Sequence, residues 1–202
     1  MEFGRFWNHE WIRMDPNVKG AEAQRQDERF DVVDANDVVV GQATRGEVHA
    51  RGLWHRAVHV LVYNRAGQVF LQKRSMAKDT CPGCWASSCS GHVDSGEDYD
   101  IAAQRELAEE IGLEVAVPPE RWFRMEPSED TGWEFVWVYR LANDGPLTLN
   151  PAEVESGEWL APAEITAAIA ARPAQFAPAF RLLWTRATQR EPGVPLNGRA
   201  AP

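Results

Sequence analysis

Between Gly91 and Leu113 the chain fixes a glycine, four glutamates, an arginine and a second glycine in one register: Gly91, Glu97, then Arg105-Glu106-Leu107-Ala108-Glu109-Glu110-Ile111-Gly112-Leu113. At roughly 100° per residue, a helix carries Glu106, Glu109 and Glu110 on one face, because positions three and four apart are neighbours. Like charges so placed repel unless a cation joins them, and carboxylate oxygens are the ligands that Mg²⁺ and Mn²⁺ prefer. Ile101, Leu107, Ala108 and Ile111 are expected on the opposite face, as the apolar stripe that anchors the helix to a core. Gly112 suits the left-handed position just past a helix end, and Asp94, Glu97 and Asp98 lie near the positive N-terminal end.

A Glu-Glu pair by itself ordinarily means a solvated acidic helix face. The whole string carries more information, and it resembles the Nudix box of the Nudix hydrolases at every fixed position. That resemblance implies an α/β fold, an α/β/α sandwich around a mixed β-sheet. It also implies a metal-dependent hydrolase that cleaves the diphosphate linkage of a nucleoside diphosphate derivative or similar small molecule, with Mg²⁺ or Mn²⁺ as cofactor. By the family pattern Glu106, Glu109 and Glu110 carry the metal, Gly91 lets its carbonyl approach the ion, and Glu97 pairs with Arg105 to hold the loop against the helix. A dication would neutralise phosphate charge and lower the pKa of a bound water, and Arg105 can brace carboxylates bidentately.

The rest of the chain sets bounds on the partner. A length of 202 residues with 44% hydrophobic content is enough for one domain with a sizeable core. The net charge of −9 argues against a nucleic-acid polymer as partner, which would call for a basic surface; a small phosphate needs only local cations. No stretch approaches the length of a membrane helix and the N-terminus has no signal-like apolar run, so a cytoplasmic protein without membrane contact is expected. Three cysteines within nine residues, Cys81, Cys84 and Cys89, do not make a secreted disulfide framework, and reduced thiols are expected.

Hydrophobic patterning divides the chain into an extension over residues 1–27, a domain over 28–190, which the resemblance implies is a Nudix domain, and a tail over 191–202. Hairpins are predicted at Phe30 to Val33 with Val38 to Val40, and at Ala57 to Tyr63 with Gln68 to Gln72. Later strands are predicted at Trp122 to Met125, Glu134 to Leu141 and Glu155 to Leu160. Helices are predicted near Ala163 to Ala171 and Phe176 to Gln189. Tryptophans in the extension would suit a homodimer.

Outside the box the sequence is similar to type I isopentenyl-diphosphate isomerase over most of residues 28 to 185. The similarity rests on Gln72 to Asp79, Pro82-Gly83-x-Trp85, Ser90-Gly91-His92, Trp54-His55, Glu134 and Phe176-Ala177-Pro178. It implies that Arg74 and Lys78 bind diphosphate, and that His55, His92 and Glu134 form a second metal site. Three departures weigh against the isomerase: its catalytic cysteine falls on Ser90, one metal histidine falls on Val48 with His49 alongside, and a glutamate falls on Gly132. Cys89 adjoins Ser90, but a one-residue shift in a strand turns a side chain to the other face. An isomerase-like enzyme or a catalytically silent diphosphate-binding module therefore stands behind the hydrolase. Cys81-Pro82-Gly83-Cys84 matches a redox C-x-x-C, and with Cys89 and His92 it offers four potential zinc ligands. His59 reads as a satisfied face histidine, and Trp133 and Trp137 are the candidates for stacking on a base or apolar tail. The general base is left open among Glu109, Glu110, Glu153, Glu155 and Glu158.

Overall fold

The protein is described by a computed structural model covering residues 27–190. The extension over 1–27, Asp27 excepted, and the tail over 191–202 fall outside the described residues, as do Trp7 and Trp11 and the homodimer they suggested. Nine strands and four helices follow one another as β1 (Arg29–Val33), β2 (Val39–Thr44), α1 (Arg45–Arg51), β3 (His55–Tyr63), β4 (Val69–Arg74), β5 (Trp85–Ala86), β6 (Cys89–His92), α2 (Tyr99–Ile111), β7 (Glu120–Met125), β8 (Glu134–Ala142), β9 (Val154–Leu160), α3 (Pro162–Ala171) and α4 (Pro178–Arg190).

Strand β3 is the axis of the molecule. It runs parallel to β8 from His55 opposite Glu134 to Tyr63 opposite Ala142, and a crossover through α2 and β7 separates the two strands in sequence. Its side chains alternate faces, as a pleat requires. Val58, Val60 and Val62 pack with Leu107, Ile111 and Tyr139 beneath α2. Ala57, Leu61 and Tyr63 pack with Ile165, Phe180 and Leu183 beneath α3 and α4. One mixed sheet thus lies between helical layers, the α/β/α sandwich expected from the sequence.

The sheet also forks. Strands β3 and β4 pair only at Tyr63 opposite Val69, next to their turn. Beyond that point β4 turns to β9 and β5, and β6 enters against β3 from Ala57 opposite His92 to Val60 opposite Cys89. At the apex of the fork the buried Ser88 hydroxyl accepts from Val62 N at 2.7 Å and donates to Phe70 O at 2.6 Å. One side chain thereby joins backbone groups of two strands that have parted.

Helix α1 was not predicted. Thr44 caps it through a reciprocal bond with Glu47, and Gly52 ends it at φ 59°. The T-x-x-E signal was present in the sequence, but it opens only seven residues of helix. Helix α2 begins at Asp98, whose side chain accepts from Asp100 N, and ends at Gly112 with φ 65°, as expected. Its apolar face needs correction. Tyr99, Ala102, Ala103, Leu107 and Ile111 are buried together with Glu106 and Glu110, whereas Ile101 is 55% exposed and Ala108 faces out. The helix rolls so that two of the three carboxylates sit at the edge of the core beside β6, and Glu109 alone lies open.

Candidate functional site

A cavity of about 630 Å³ opens beside the fork, and two polar clusters share its wall. The first is built by α2 and β6. Gly91 lies so close to Glu106 that a Cβ at this position would stand 2.0 Å from the glutamate Oε1, so only glycine admits the carboxylate here. Arg105 braces the group: its Nε and Nη2 donate to Glu97 at 3.0 and 2.8 Å, its Nη1 donates to Glu106 at 2.7 Å and Glu109 at 3.2 Å, and Nη2 also donates to the His92 carbonyl at 2.9 Å. The Glu97 to Arg105 brace implied by the sequence is therefore present. Glu97 also accepts from Asp94 N at 3.0 Å, which ties the loop into the helix.

Glu110 is almost wholly buried. Its Oε2 accepts from Gln72 Nε2 at 2.9 Å and from Ser90 N at 3.0 Å, and its Oε1 pairs with Lys78 at 3.3 Å. Lys78 is itself buried and also bonds Glu153. Burial, and then Glu110 beside it, pushes the Glu106 carboxyl up to about 8 despite Arg105. A group so raised favours an additional cation nearby. Buried, convergent carboxylates against a glycine that leaves them room are a donor set suited to a hard divalent metal.

The second cluster lies across His92. His49 from α1, His55 from β3 and His92 from β6 bring a ring nitrogen each to within 4.8 Å of one another, and Glu134 from β8 joins them. Proton positions follow from the partners. A guanidinium only donates, so Arg45 Nη1 at 3.1 Å leaves His92 Nδ1 as acceptor and puts the proton on Nε2, which donates to Glu134 at 3.0 Å. Burial, only partly offset by Glu134, holds His92 down at about 3 and therefore neutral. A carbonyl only accepts, so His55 Nδ1 donates to Leu53 O at 2.9 Å and its Nε2 lone pair faces Glu134 Oε1 at 3.4 Å with no bond between them. His49 Nε2 is likewise buried without a partner. Two buried imidazole nitrogens without a partner, beside a carboxylate, fit a divalent cation of the kind that accepts nitrogen ligands.

Sequence reasoning placed Val48, not His49, at the isomerase histidine. In the structure Val48 is fully buried against Phe30 and Ala43, and α1 turns His49 toward the cluster. Because α1 was not predicted, the turn that exchanges the two positions could not be seen. Arg45, buried between Asp79 at 3.1 Å and His92, was also missed. Arg74 lines the cavity with its guanidinium on Thr80 O and Oγ1 at 3.1 and 3.2 Å.

The remaining candidates separate cleanly. Cys89 is fully buried in the α2 core while Ser90 lines the cavity, as strand alternation requires. Cys81 and Cys84 pack on the opposite core and His92 belongs to the histidine cluster, so the four suggested zinc ligands do not meet. His59 Nδ1 lies 2.8 Å from Ser87 Oγ, and Ser87 spends its proton on Cys89 O at 3.2 Å, so His59 donates through Nδ1 and is a satisfied face histidine. Trp133 lies against Gly52 and Trp137 carries Arg121 over its ring, and neither lines the cavity. Among the later acids Glu153 lines the cavity, whereas Glu155 pairs with Lys73 near the surface at 2.8 Å.

A mixed sheet between helices, with a braced carboxylate helix facing a wide cavity, defines an α/β protein with an acidic cleft. Comparison gives the family: residues 53–180 match the NUDIX domain, and the chain belongs to that family. It is 36% identical over 146 residues to a Nudix hydrolase of Deinococcus radiodurans, covering 72% of this chain and 85% of that protein. It is also 36% identical over 155 residues to an isopentenyl-diphosphate Delta-isomerase of Nocardia farcinica, covering 73% and 87%. A crystal structure of a protein from Deinococcus radiodurans superposes with a TM-score of 0.71 at 34% identity, covering 79% of this chain and 98% of that one. Nudix enzymes generally use a divalent metal. No helix among the described residues is long and apolar enough to cross a membrane.

Proposed function

We propose that the protein hydrolyses the diphosphate linkage of a small molecule, a nucleoside diphosphate derivative or a related diphosphate, with Mg²⁺ or Mn²⁺ held by Glu106, Glu109 and Glu110 and by the Gly91 carbonyl. The observation that carries this reading is the fit of Gly91 to Glu106 beside the buried Glu110. A bound dication would neutralise phosphate charge and acidify a water. The chain's own residues do the rest. Arg105 and Glu97 fix the carboxylates in place, and Gln72 and Ser90 N aim Glu110. Lys78, on leaving Glu110 and Glu153, and Arg74 supply cations for the diphosphate oxygens. Glu153, freed of Lys78, is the group placed to take a proton from the attacking water. The acidic lining of the cavity suits a cation that would bridge to the phosphate, and the free thiols suit the cytoplasm.

The histidine cluster favours a second reading, an isomerase-like enzyme with its metal on His49, His55, His92 and Glu134. It rests on the two buried imidazole nitrogens without a partner. Ser90 in place of a thiol counts against it, since a serine hydroxyl is a poor proton donor to an alkene.

The test measures phosphate and nucleotide release from a panel of nucleotide and isoprenoid diphosphates with Mg²⁺ or Mn²⁺, in wild type and Glu110→Gln. Loss of a metal ligand is expected to lower turnover by about 100- to 1,000-fold, several kcal/mol of barrier, with the fold intact by circular dichroism. Equal release by both proteins sinks the hydrolase reading. Interconversion of the two five-carbon diphosphates without release moves the conclusion to the isomerase.

A further inference from the structure

Neither polar cluster uses the dithiol at Cys81 and Cys84. Cys84 N donates to Cys81 O at 3.2 Å across Pro82 and Gly83, and Gly83 has φ 69°. Pro followed by a glycine at positive φ is the sequence of a type II turn, whose end Cα atoms lie within about 7 Å. A disulfide spans Cα atoms roughly 4.4 to 6.8 Å apart, a range that the two ends of such a turn can reach. Burial first, and then Cys81 lying near it, raises the Cys84 thiol. Both are half-buried, and Cys81 lines the cavity, whereas Cys89 is sealed in the opposite core and cannot compete.

The turn is firmly seated. Cys84 O accepts from Arg74 N at 2.9 Å and Gly83 N donates to Arg74 O at 3.1 Å. The same loop carries Lys78 into the carboxylate cluster and Asp79 to Arg45.

We propose that Cys81 and Cys84 are a reversible disulfide site on the wall of the cavity at Cys81, closed by exchange with a low-molecular-weight disulfide such as oxidised glutathione. Cys81, on the cavity side, attacks one sulfur of the small disulfide as thiolate, forming a mixed disulfide and expelling one small thiolate. Cys84 then loses its proton and attacks the Cys81 sulfur, expelling the second. The protein gives up two electrons and two protons, and the small disulfide is reduced to two thiols. The Cys84 thiol, held above its usual range by burial and then by Cys81 beside it, suits the resolving role. Ring closure wins over a second adduct because the intramolecular partner is already in contact. The bridge fixes the loop that presents Lys78 and Arg74, so it acts on the phosphate side of the cavity.

The test exposes the folded full chain to graded mixtures of oxidised and reduced glutathione, then alkylates after unfolding and reads the intact mass. The expected product is lighter by two hydrogens, with one alkylated cysteine, Cys89, and returns to three alkylated cysteines under excess reduced glutathione. Cys81→Ser and Cys84→Ser never show this loss and at most gain one glutathione. Wild type carrying stable glutathione on both residues, or keeping three free thiols throughout, overturns the proposal. This result is independent of which diphosphate, if any, the protein cleaves.

Discussion

The carboxylate cluster and the histidine cluster share a wall of one cavity but solve the problem of burial differently. In the first, every buried charge already has a partner supplied by the chain: Lys78 for Glu110 and Glu153, Arg105 for Glu97, Glu106 and Glu109. In the second, three imidazoles surround a single carboxylate, and two buried ring nitrogens have no partner. Tethered cations make a site that is balanced when empty and must yield when a metal arrives. Orphaned nitrogens make one that is balanced only when filled. The lesson concerns affinity as well as geometry: a metal at the carboxylates competes with Lys78, whereas a metal at the histidines competes only with the His92 to Glu134 hydrogen bond.

The sharpest way to break the comparison is Gly91→Ala. The added carbon collides with the end of a flexible side chain, Glu106, and not with backbone. The fold is therefore expected to survive with its melting temperature little changed, while metal-dependent turnover falls by about 100-fold, as expected for a displaced ligand. Comparable activity in the variant would show that Glu106 is not needed where the structure puts it.

A smaller effect comes from His49→Leu. Titration with Mn²⁺ or Zn²⁺ is expected to show the stoichiometry falling from two ions to one, with affinity at the remaining site within about threefold because the carboxylates are untouched. Loss of both ions would merge the clusters into a single site.

The smallest effect is on stability. Burial holds the His59 imidazole at about 4, below its ordinary 6.5. The unfolded chain thus binds the extra proton first on acidification, and the stabilising contribution present above pH 6.5 is lost as pH falls toward 4. Glu106 acts in the opposite sense: with its carboxyl raised to about 8, its contribution is full below pH 4.5 and is lost as pH rises through 8. Thermal melts of the metal-free protein should accordingly be highest between these limits. The rise in melting temperature on adding Mg²⁺ should grow from pH 6 to 8. A flat profile would mean that neither group is buried as described.

The box helix, its C-terminal glycine and both hairpins were legible because each depends on local spacing: Gly112 reaches φ 65° where the pattern put it, and Asp98, one of three acids expected near the N-terminal end, is the cap. What the periodicity could not show was which way the helix rolls. Ile101 and Ala108 looked apolar enough to face inward, but the stripe through Tyr99, Ala103, Leu107, Glu110 and Ile111 packs better on the sheet, and it takes the carboxylates with it. The second cluster was half legible. His55, His92 and Glu134 stood in sequence, whereas His49 depended on a seven-residue helix whose only local sign was Thr44 three residues before Glu47. Short strands β5 and β6 were invisible for the same reason, being too brief to show a period.

Ser88 joins the two arms of the fork through one oxygen. A ladder of backbone bonds would hold the arms at strand spacing, about 4.8 Å, and leave no room between them. An inserted hydroxyl sets a wider gap and keeps it fixed, much as a keystone holds an arch open. The carboxylate wall hangs from one arm through Ser90, and Gln72 reaches Glu110 from the other. The width available to a ligand is therefore a property of the sheet itself, determined at a residue that does not line the cavity.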